Sequence, residues 1–438
     1  MRQCTALVAI LLVAYICKAQ DRFATQVVLP EECVLASGPI YGNEIVAKDG
    51  LLFVSVQDAV RDGQTIAGLI EIHQRDEHGF YHKVDEIRHD PSYGEINLYG
   101  GDIDFDGERL VIGIRGRTGG APSAVHVMRR DAAQQWQLEA RIEAPIEPGW
   151  EFTITFGDAV AIDGGTLVVT DRSAFPPTSI DDRGAILIYR LEDGNWVPDV
   201  VDTAPYRSVA LSFGCAAVSG DCVVTNLRSA DGLMAGLRVY ELSTGNVQDI
   251  RTSEQLYTSV DVDDGLIAAR ADRSFAQAGV CGEIHTFERT IGGQFAMADV
   301  IEHACDVGYR SSHQDTGRRI VVRGDRIAVN GHVDLDDGSF GTIFGSFDVF
   351  DRLDGVWGRS EELYFSIAGI YAFLPSGKVG GLAMDGDSVI LGHQWRSRVR
   401  VTSCGDGTAQ GALSFYDISD TYCRADIDGD QALTVFDF

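Results

Sequence analysis

The segment 421–438 contains the most regularly spaced oxygen-bearing side chains in the chain. Counted from the first aspartate of the pattern, they occupy positions 1, 3, 5, 9 and 12, as Asp426, Asp428, Asp430, Thr434 and Asp437. Calcium takes six or more oxygen ligands, and this spacing lets one turn of chain supply them, with the carbonyl of Ala432 at position 7. The pattern therefore predicts a Ca²⁺ site. The alternative is an acidic tail without a bound ion.

Two further aspartate-rich segments lie inside the chain, at 102–107 (DIDFDG) and 334–338 (DLDDG). Aligned with the repeat described below, the first falls on a strand and its turn, and the second falls in a loop between two strands. The first is expected to be an acidic strand face, with a metal site as the alternative. The second is the better placed of the two for a metal, because loops can bend around an ion.

No catalytic motif is evident. The sequence lacks G-x-S-x-G, H-E-x-x-H and phosphate-binding loops, and its ten histidines are scattered. His73, His126 and His285 lie near the third strand of their repeats, where packed or surface side chains are expected. With 65 acidic residues, no glycosidase-type carboxylate pair can be selected from sequence. The sequence favours a protein that is not an enzyme.

The cysteines suggest disulfides rather than metal chemistry. No Cys-x-x-Cys motif occurs, so neither a zinc site nor a redox motif is predicted. The positions of the cysteines about the predicted hairpins predict three bridges, which are Cys33–Cys404, Cys215–Cys222 and Cys281–Cys305. Cys423 then has no partner.

Residues 1–19 have the features of a secretory signal peptide. A basic Arg2 precedes an apolar run from Thr5 to Cys17, and Ala19 precedes the expected cleavage site. Without this leader, 34 basic residues face 65 acidic ones, a net charge of −31. Such a charge repels nucleic acid and anionic lipid. No later segment is apolar enough to span a membrane, so we expect an extracellular, soluble monomer.

A β-repeat organises residues 20–420. Its hairpin turn recurs seven times, with glycines at 50, 107, 164, 220, 265, 324 and 386. Each turn joins two apolar strands, and most repeats continue with a second hairpin whose last strand begins with an aromatic residue. Four short strands repeated seven times predict an all-β, seven-bladed β-propeller with antiparallel blades. The aromatic residues are expected to pack between blades.

The seventh repeat lacks its fourth strand. After the third strand, 412–416, the chain continues to Asp420 without a partner strand. Residues 23–29 (FATQVVL) resemble the fourth strand of the fifth repeat, 295–301 (FAMADVI). We therefore expect the N-terminal strand to complete the last blade and to close the ring.

Two resemblances refine these predictions. Residues 156–172 (FGDAVAIDGGTLVVTDR) are similar to the FG-GAP repeat of integrin α-type propellers and of many bacterial secreted proteins. This resemblance implies a propeller and a role in adhesion or interaction. The segment 421–438 resembles the EF-hand-like first calcium loop of a truncated dockerin module, which implies anchoring through a cohesin-like partner.

The sequence leaves two functions open. The first is a secreted, non-enzymatic binding or adhesion propeller that takes a protein or glycan ligand at one face and is anchored through its tail. The alternative is a carbohydrate-active or quinone-dependent enzyme on the same scaffold. Asp, Glu, Arg and Tyr side chains converging at the channel mouth would favour the enzyme, and an apolar plug in the channel would favour the binding protein.

Overall fold

The computed structural model describes the strands and most of their hairpin turns. The described residues are 26–28, 41–56, 60–61, 64–65, 68–94, 96, 98–116, 122–144, 155–171, 174, 184–203, 215–228, 235–252, 256–272, 283–302, 319–335, 342–364, 377–395, 399–400, 408–409 and 412–418. The predicted leader and the tail 421–438 lie outside these residues. So do Cys33, Cys281, Cys305, Cys404 and Cys423.

The first three blades are four-stranded antiparallel sheets. In each sheet the strands pair in chain order, from an inner strand to an outer strand. In the first blade they are Tyr41–Lys48, Leu51–Val56, Leu69–Arg75 and Tyr81–Arg88. In the second they are Leu98–Phe105, Arg109–Arg115, Ala124–Arg130 and Trp136–Glu143. In the third they are Phe156–Asp163, Thr166–Asp171, Ala185–Glu192 and Asn195–Thr203.

The next three blades have the same order. The strands of the fourth blade are Ala216–Ser219, Cys222–Arg228, Ala235–Glu241 and Asn246–Thr252. Those of the fifth are Leu256–Asp263, Leu266–Asp272, Glu283–Arg289 and Phe295–Glu302. Those of the sixth are Ile320–Arg323, Arg326–Leu335, Thr342–Leu353 and Val356–Tyr364.

The seventh blade joins the two ends of the chain. Its first three strands are Gly377–Asp385, Ser388–Trp395 and Ala412–Asp417, and its outer strand is Gln26–Val28. Gln26 pairs with Phe415 in antiparallel register. The predicted closure by the N-terminal strand is therefore confirmed. The inner strands of successive blades contact each other round the ring, and the first contacts the seventh.

Outside the blades the described residues form little regular structure. Two short hairpins are Val60–Arg61 with Gln64–Thr65, and Val399–Arg400 with Thr408–Ala409. One 3-10 turn spans Pro91–Tyr93. No helix in the described part of the chain has the length and apolar character needed to cross a membrane.

The seven predicted hairpin turns are present. The glycine of each turn has φ between 55° and 108°, a region that side chains with a Cβ rarely adopt. At Gly164 a Cβ would meet nothing within 4 Å, so the backbone conformation, and not crowding, requires glycine there.

The hydrophobic core consists of seven layers between blades. Each of the seven clusters of buried apolar residues draws on two neighbouring blades. The aromatic residue that opens an outer strand packs into these layers, as predicted. Trp136 of the second blade, for example, meets Phe53 of the first edge-on, with 5.3 Å between ring centroids. Stability therefore depends on contacts between blades, because each buries its apolar faces against its neighbours.

The FG start of the repeat has a packing role. Tyr41, Tyr99 and Phe156 are fully buried, and the glycine after each has positive φ at an irregularity in strand register. The backbone of Gly157 lies so close to the second blade that a Cβ on Gly113 would be 2.2 Å from the Gly157 carbonyl oxygen. The motif brings the start of each inner strand against the preceding blade.

The predicted Cys215–Cys222 disulfide is wrong. Both cysteines are free and buried. Across the hairpin Cys222 pairs with Ser219, whereas the N–H of Cys215 bonds Asn226. The two cysteines are thus offset by about four residues along the sheet, roughly 13 Å, which is beyond the reach of a disulfide. Burial raises the pKa of both thiols to about 12.

Candidate binding site at the mouth of the central channel

The inner strands of all seven blades line a central channel with a cavity of about 240 Å³. Three levels, two residues apart along each inner strand, can be matched among the blades by counting back from the hairpin turn. The level farthest from the turns consists of Glu44, Asp102, Ala159, Cys215, Ser259, Arg319 and Gly381. The middle level consists of Val46, Asp104, Ala161, Ala217, Asp261, Val321 and Ala383. The level at the turns consists of Lys48, Asp106, Asp163, Ser219, Asp263, Arg323 and Asp385.

Arg319 extends across the channel. It belongs to the sixth blade, yet its Nη2 donates to Glu44 of the first blade and to Asp102 of the second, 3.0 Å away. Because the seventh blade lies between them, the guanidinium must cross the bore to reach both carboxylates. This Glu44–Arg319–Asp102 bridge lies at the end where the chain passes from blade to blade. It forms the floor of the channel mouth on that side.

The guanidinium of Arg319 has donors left for a ligand. Among the described residues, its hydrogen bonds all involve Nη2, and a third of the side chain is exposed. An arginine carries five N–H donors, so Nε and Nη1 can still donate. Burial lowers the pKa of Arg319 to about 10, and the side chain is therefore still cationic at neutral pH.

The channel carboxylates bond to the backbone of the next blade. Asp102 accepts from the Val160 N–H at 2.9 Å, and Asp104 accepts from the Ile162 N–H at 2.8 Å. Asp261 likewise accepts from Val322 at 2.7 Å. An inner strand has no neighbouring strand on its channel side, so its N–H groups need acceptors from elsewhere. Asp102 and Asp104 are therefore part of an acidic strand that lines the channel, and their carboxylates bond to the neighbouring blade, whereas Asp106 lies in the turn.

Burial in the wall changes the acidity of these carboxyls. Burial raises the pKa of Asp104 to about 6, against the backbone hydrogen bonds that oppose the shift. Burial also raises the pKa of Asp102 and of Asp261. Aspartates of this kind are ionised at neutral pH less completely than exposed ones.

The level at the turns is held in the same way. Asp163 accepts from the Gly220 N–H at 2.6 Å, and Asp263 accepts from the Gly324 N–H at 2.7 Å. Asp385 accepts from the Gly50 N–H at 3.0 Å, which ties the seventh blade to the first. The aspartates at the turn level of the third, fifth and seventh blades thus each bond the turn glycine of the next blade.

The three histidines singled out by sequence are all buried inside blades. His73 lies 3.2 Å from Glu71, which also accepts from the Tyr41 hydroxyl. His285 lies 2.7 Å from the hydroxyl oxygen of Tyr257. Burial and the nearby Arg141 lower the pKa of His126 to about 4. These histidines are packed side chains away from the channel lining.

The structure describes only some of the residues that the sequence predicts as metal ligands. Asp426, Asp428, Asp430, Thr434 and Asp437 lie outside the described residues. Asp334 and Leu335 belong to a strand and pair with Ile343 and Thr342, so this part of the expected loop is regular sheet. Asp336–Gly338 is not described. Within the described ranges, no group of three or more His, Cys, Asp or Glu side chains is arranged to hold a metal.

Sequence reasoning missed the Glu44–Arg319–Asp102 bridge. A signal for it exists: each of the three residues lies five or six positions before its turn glycine, where other repeats carry alanine, cysteine, serine or glycine. Aligning the repeats at the turn would have shown three charged residues on one level of the channel.

No protein-family model matches the chain, and no curated protein matches it in sequence. Solved structures are similar at low identity. Saccharomyces cerevisiae Sqt1 is 11% identical with a TM-score of 0.44, over 91% of this chain and 100% of that one. Kuenenia stuttgartiensis hydrazine synthase is 13% identical with a TM-score of 0.40, over 72% and 77%. Phage phi92 endosialidase is 8% identical with a TM-score of 0.44, over 91% and 70%. Similarity this distant carries no information about ligand or activity.

Proposed function

We propose that the chain is a ligand-binding propeller and that its ligand, a protein or a glycan, contacts the channel mouth at the Glu44–Arg319–Asp102 bridge. The observation that supports this is the cationic Arg319, held by two carboxylates across the bore with donors still free. A planar guanidinium fixed in this way is pre-organised to bind carboxylate or hydroxyl groups.

A binding screen with a matched pair of variants tests this proposal. Glycan and matrix-protein arrays would be probed with the wild-type chain, R319Q and R323Q. Arg319 immediately precedes the inner strand Ile320–Arg323, and Arg323 ends that strand at the opposite end of the channel, so it controls for loss of one arginine. We expect R319Q to weaken binding at least about tenfold, as for loss of a charged hydrogen bond, and R323Q to bind like wild type. Equal binding by the two variants would place the ligand elsewhere.

One observation also favours a carbohydrate-active enzyme. Glu44 and Asp102 approach the same guanidinium, and burial raises the pKa of Asp102, as in a general acid. Two carboxylates are the usual machinery of glycoside hydrolysis. A panel of chromogenic glycosides tests this second function. Turnover by wild type that is lost in both E44Q and D102N would support it, whereas no turnover would leave the binding function.

We further propose that residues 1–19 direct secretion and that the tail 421–438 binds Ca²⁺ for a cohesin-like partner. The support is the ligand spacing from Asp426 to Asp437. Calorimetric titration of the full chain with CaCl₂ should show one site that the double variant D426N/D428N loses. Identical heats for the two chains would show that the tail does not bind calcium.

A further inference from the structure

A second cavity lies on the turn side of the propeller, apart from the channel mouth. It is a groove of about 670 Å³ between the two hairpins of the sixth blade and the first turn of the seventh. Its charged lining consists of four arginines and two aspartates, which are Arg323, Arg326, Arg352, Arg359, Asp325 and Asp351, and Trp357 and Gly386 also line it. A volume of several hundred Å³ is typical of sites that hold a ligand or a peptide side chain.

Four arginines in one groove are unusual for this chain, which has 36 basic residues against 65 acidic ones. Carboxylates inside and beside the groove hold the guanidinium groups in place, and Asp351, which lines the groove, accepts from Arg326 Nε at 2.6 Å. Arg326 donates from Nη1 to Asp387 at 2.8 Å, and Arg352 lies 2.5 Å from Glu288. Arg326 and Arg352 each carry five N–H donors, which is more than these contacts use. The groove therefore presents fixed N–H donors without free rotation of the side chains.

Two apolar side chains, Leu353 and Val356, line the groove at the turn between the third and outer strands of the sixth blade. Ile291, Leu353 and Val356 are the most exposed large apolar residues of the described chain, at 110%, 74% and 68%. Leu353 and Val356 flank the Asp354-Gly355 turn of the sixth blade, and Ile291 lies in the corresponding turn of the fifth. An ion pair between Arg352 and Glu288 holds the two blades together beside these turns.

The hairpin itself does not need these apolar residues. The third blade makes the same two-residue turn, Asp193-Gly194, with φ values of 49° and 80°, against 52° and 80° in the sixth blade. There the flanking pair is Glu192 and Asn195. Leucine and valine at the equivalent positions are therefore available for contact with another segment.

The chain leaves the propeller beside this groove. The N–H of Ile418, the last described residue, donates to the carbonyl of Asp387 at 2.8 Å. Asp387 follows Gly386, which lines the groove, and it also accepts from Arg326. A few residues of chain, each spanning up to about 3.5 Å, are enough to reach the groove from this point.

The segment that follows matches the groove in both charge and apolar content. Between 421 and 438 the sequence has four aspartates and one arginine, together with Ile427, Leu433, Val435, Phe436 and Phe438. Carboxylates suit the arginines, and the large apolar side chains suit Leu353 and Val356. We propose that the calcium-free segment 421–438 docks in the arginine-lined groove of its own sixth blade. Its four aspartates cannot bind Ca²⁺ and the arginines at the same time, so the docking is tested with EDTA present.

Tryptic cleavage after Arg424 in the intact chain tests the docking. Release of the peptide 425–438 would be followed by mass spectrometry in wild type and in L353E/V356N, which gives the sixth blade the flanking residues of the third. The matched control, E192L/N195V, makes the reverse exchange away from the groove. Because a tethered segment has a millimolar effective concentration, we expect release at least about fivefold faster from L353E/V356N than from wild type. The control should keep the wild-type rate.

Two outcomes would overturn the docking. Equal release from wild type and L353E/V356N would show that the segment does not occupy the groove. A wild-type rate that falls as protein concentration rises would show that a second copy fills the groove instead. We expect a release rate that is independent of protein concentration. It should increase with NaCl in wild type and in E192L/N195V but not in L353E/V356N, because salt screens the arginine–aspartate attraction of the docked segment.

Discussion

Asp104 and Asp261 illustrate how single carboxylates are used inside this ring. Each accepts one N–H from the following residue and one from the inner strand of the next blade. Sheet pairing cannot satisfy those N–H groups, and an unpaired buried N–H costs about 1–3 kcal/mol. The burial that makes these bonds necessary also raises the pKa of Asp104 to about 6. The carboxylate oxygens of Asp104 and Asp261 therefore act mainly as acceptors for backbone N–H groups.

His126 should make stability depend on pH. Burial lowers its pKa to about 4, against about 6.5 for an unfolded chain. The unfolded chain therefore binds the proton more readily, so stability falls as pH drops from about 6.5 to 4 and the loss from this residue then levels off. Relative to H126F, wild type should lose on the order of 2–3 kcal/mol over that range.

Urea unfolding at several pH values measures this difference. H126F keeps an aromatic ring against Tyr93 and Tyr99, which both contact the imidazole. H82Q serves as the control, because His82 is 62% exposed. Parallel pH profiles of stability for wild type and H126F would show that His126 does not cause the loss of stability at low pH.

Tyr81 should contribute more to the free energy of unfolding than any exposed tyrosine. Its hydroxyl donates to Asp385 at 2.5 Å, its ring stacks on Phe415, and its backbone bonds the Gln26 side chain. All three contacts join the first blade to the seventh. Y81F removes the hydroxyl and leaves buried Asp385 with one donor fewer, so we expect a loss of about 1–3 kcal/mol in denaturant unfolding. Y93F at a 38% exposed position should change stability little.

Two glutamines on outer strands hold neighbouring blades together in the same way. Gln248 of the fourth blade donates to the carbonyl of Phe295 at 2.7 Å and accepts its N–H at 2.8 Å. Gln26 makes the same pair of bonds to Tyr81, at 2.7 and 2.8 Å. The register places both glutamines at one position of the outer strand, opposite Val239 and Phe415 respectively. The N-terminal strand therefore reproduces an ordinary outer strand down to this contact.

Removing either glutamine side chain should destabilise the ring by a similar amount. Q26A and Q248A each lose two hydrogen bonds, which we expect to cost about 1–3 kcal/mol. Hydrogen exchange should then increase locally, in 412–417 for Q26A and in 235–241 for Q248A. Q137A is the control, because within the described part of the chain that glutamine makes one exposed contact, at 3.4 Å from Asp131. An increase spread evenly over all blades would contradict the local role.

Elements were predicted better than the contacts between them. Asp-Gly turns and alternating strands are local signals, so the hairpins and the closing strand followed from the sequence. The Cys215–Cys222 pair failed because spacing about a turn does not show how far two residues are offset along the sheet. Arg319 was missed because its partners lie on blades that are not adjacent, and only the closed ring brings them together.

At the scale of the whole molecule, ring closure can be tested through the remaining cysteines. The expected bridges are Cys33–Cys404 and Cys281–Cys305, whereas Cys215 and Cys222 are free and buried. Peptide mapping without reduction should recover the two bridges as linked peptides and should label Cys215 and Cys222 only after unfolding. A linked peptide with both Cys215 and Cys222, or rapid labelling of either in the native state, would contradict this arrangement.

The pairing of Gln26–Val28 with Ala412–Asp417 has a consequence for the order of folding. The outer strand of the seventh blade leaves the ribosome before the six other blades, and its partner strand follows them. Six blades can form while the chain is being made, but the closing strand must wait for the seventh. Until then Gln26 lacks its place beside Tyr81, and the unpaired edge of the last blade is open to strands from other chains. The slowest step of maturation should therefore be the joining of the two ends, and variants that weaken this junction should accumulate as open, association-prone rings.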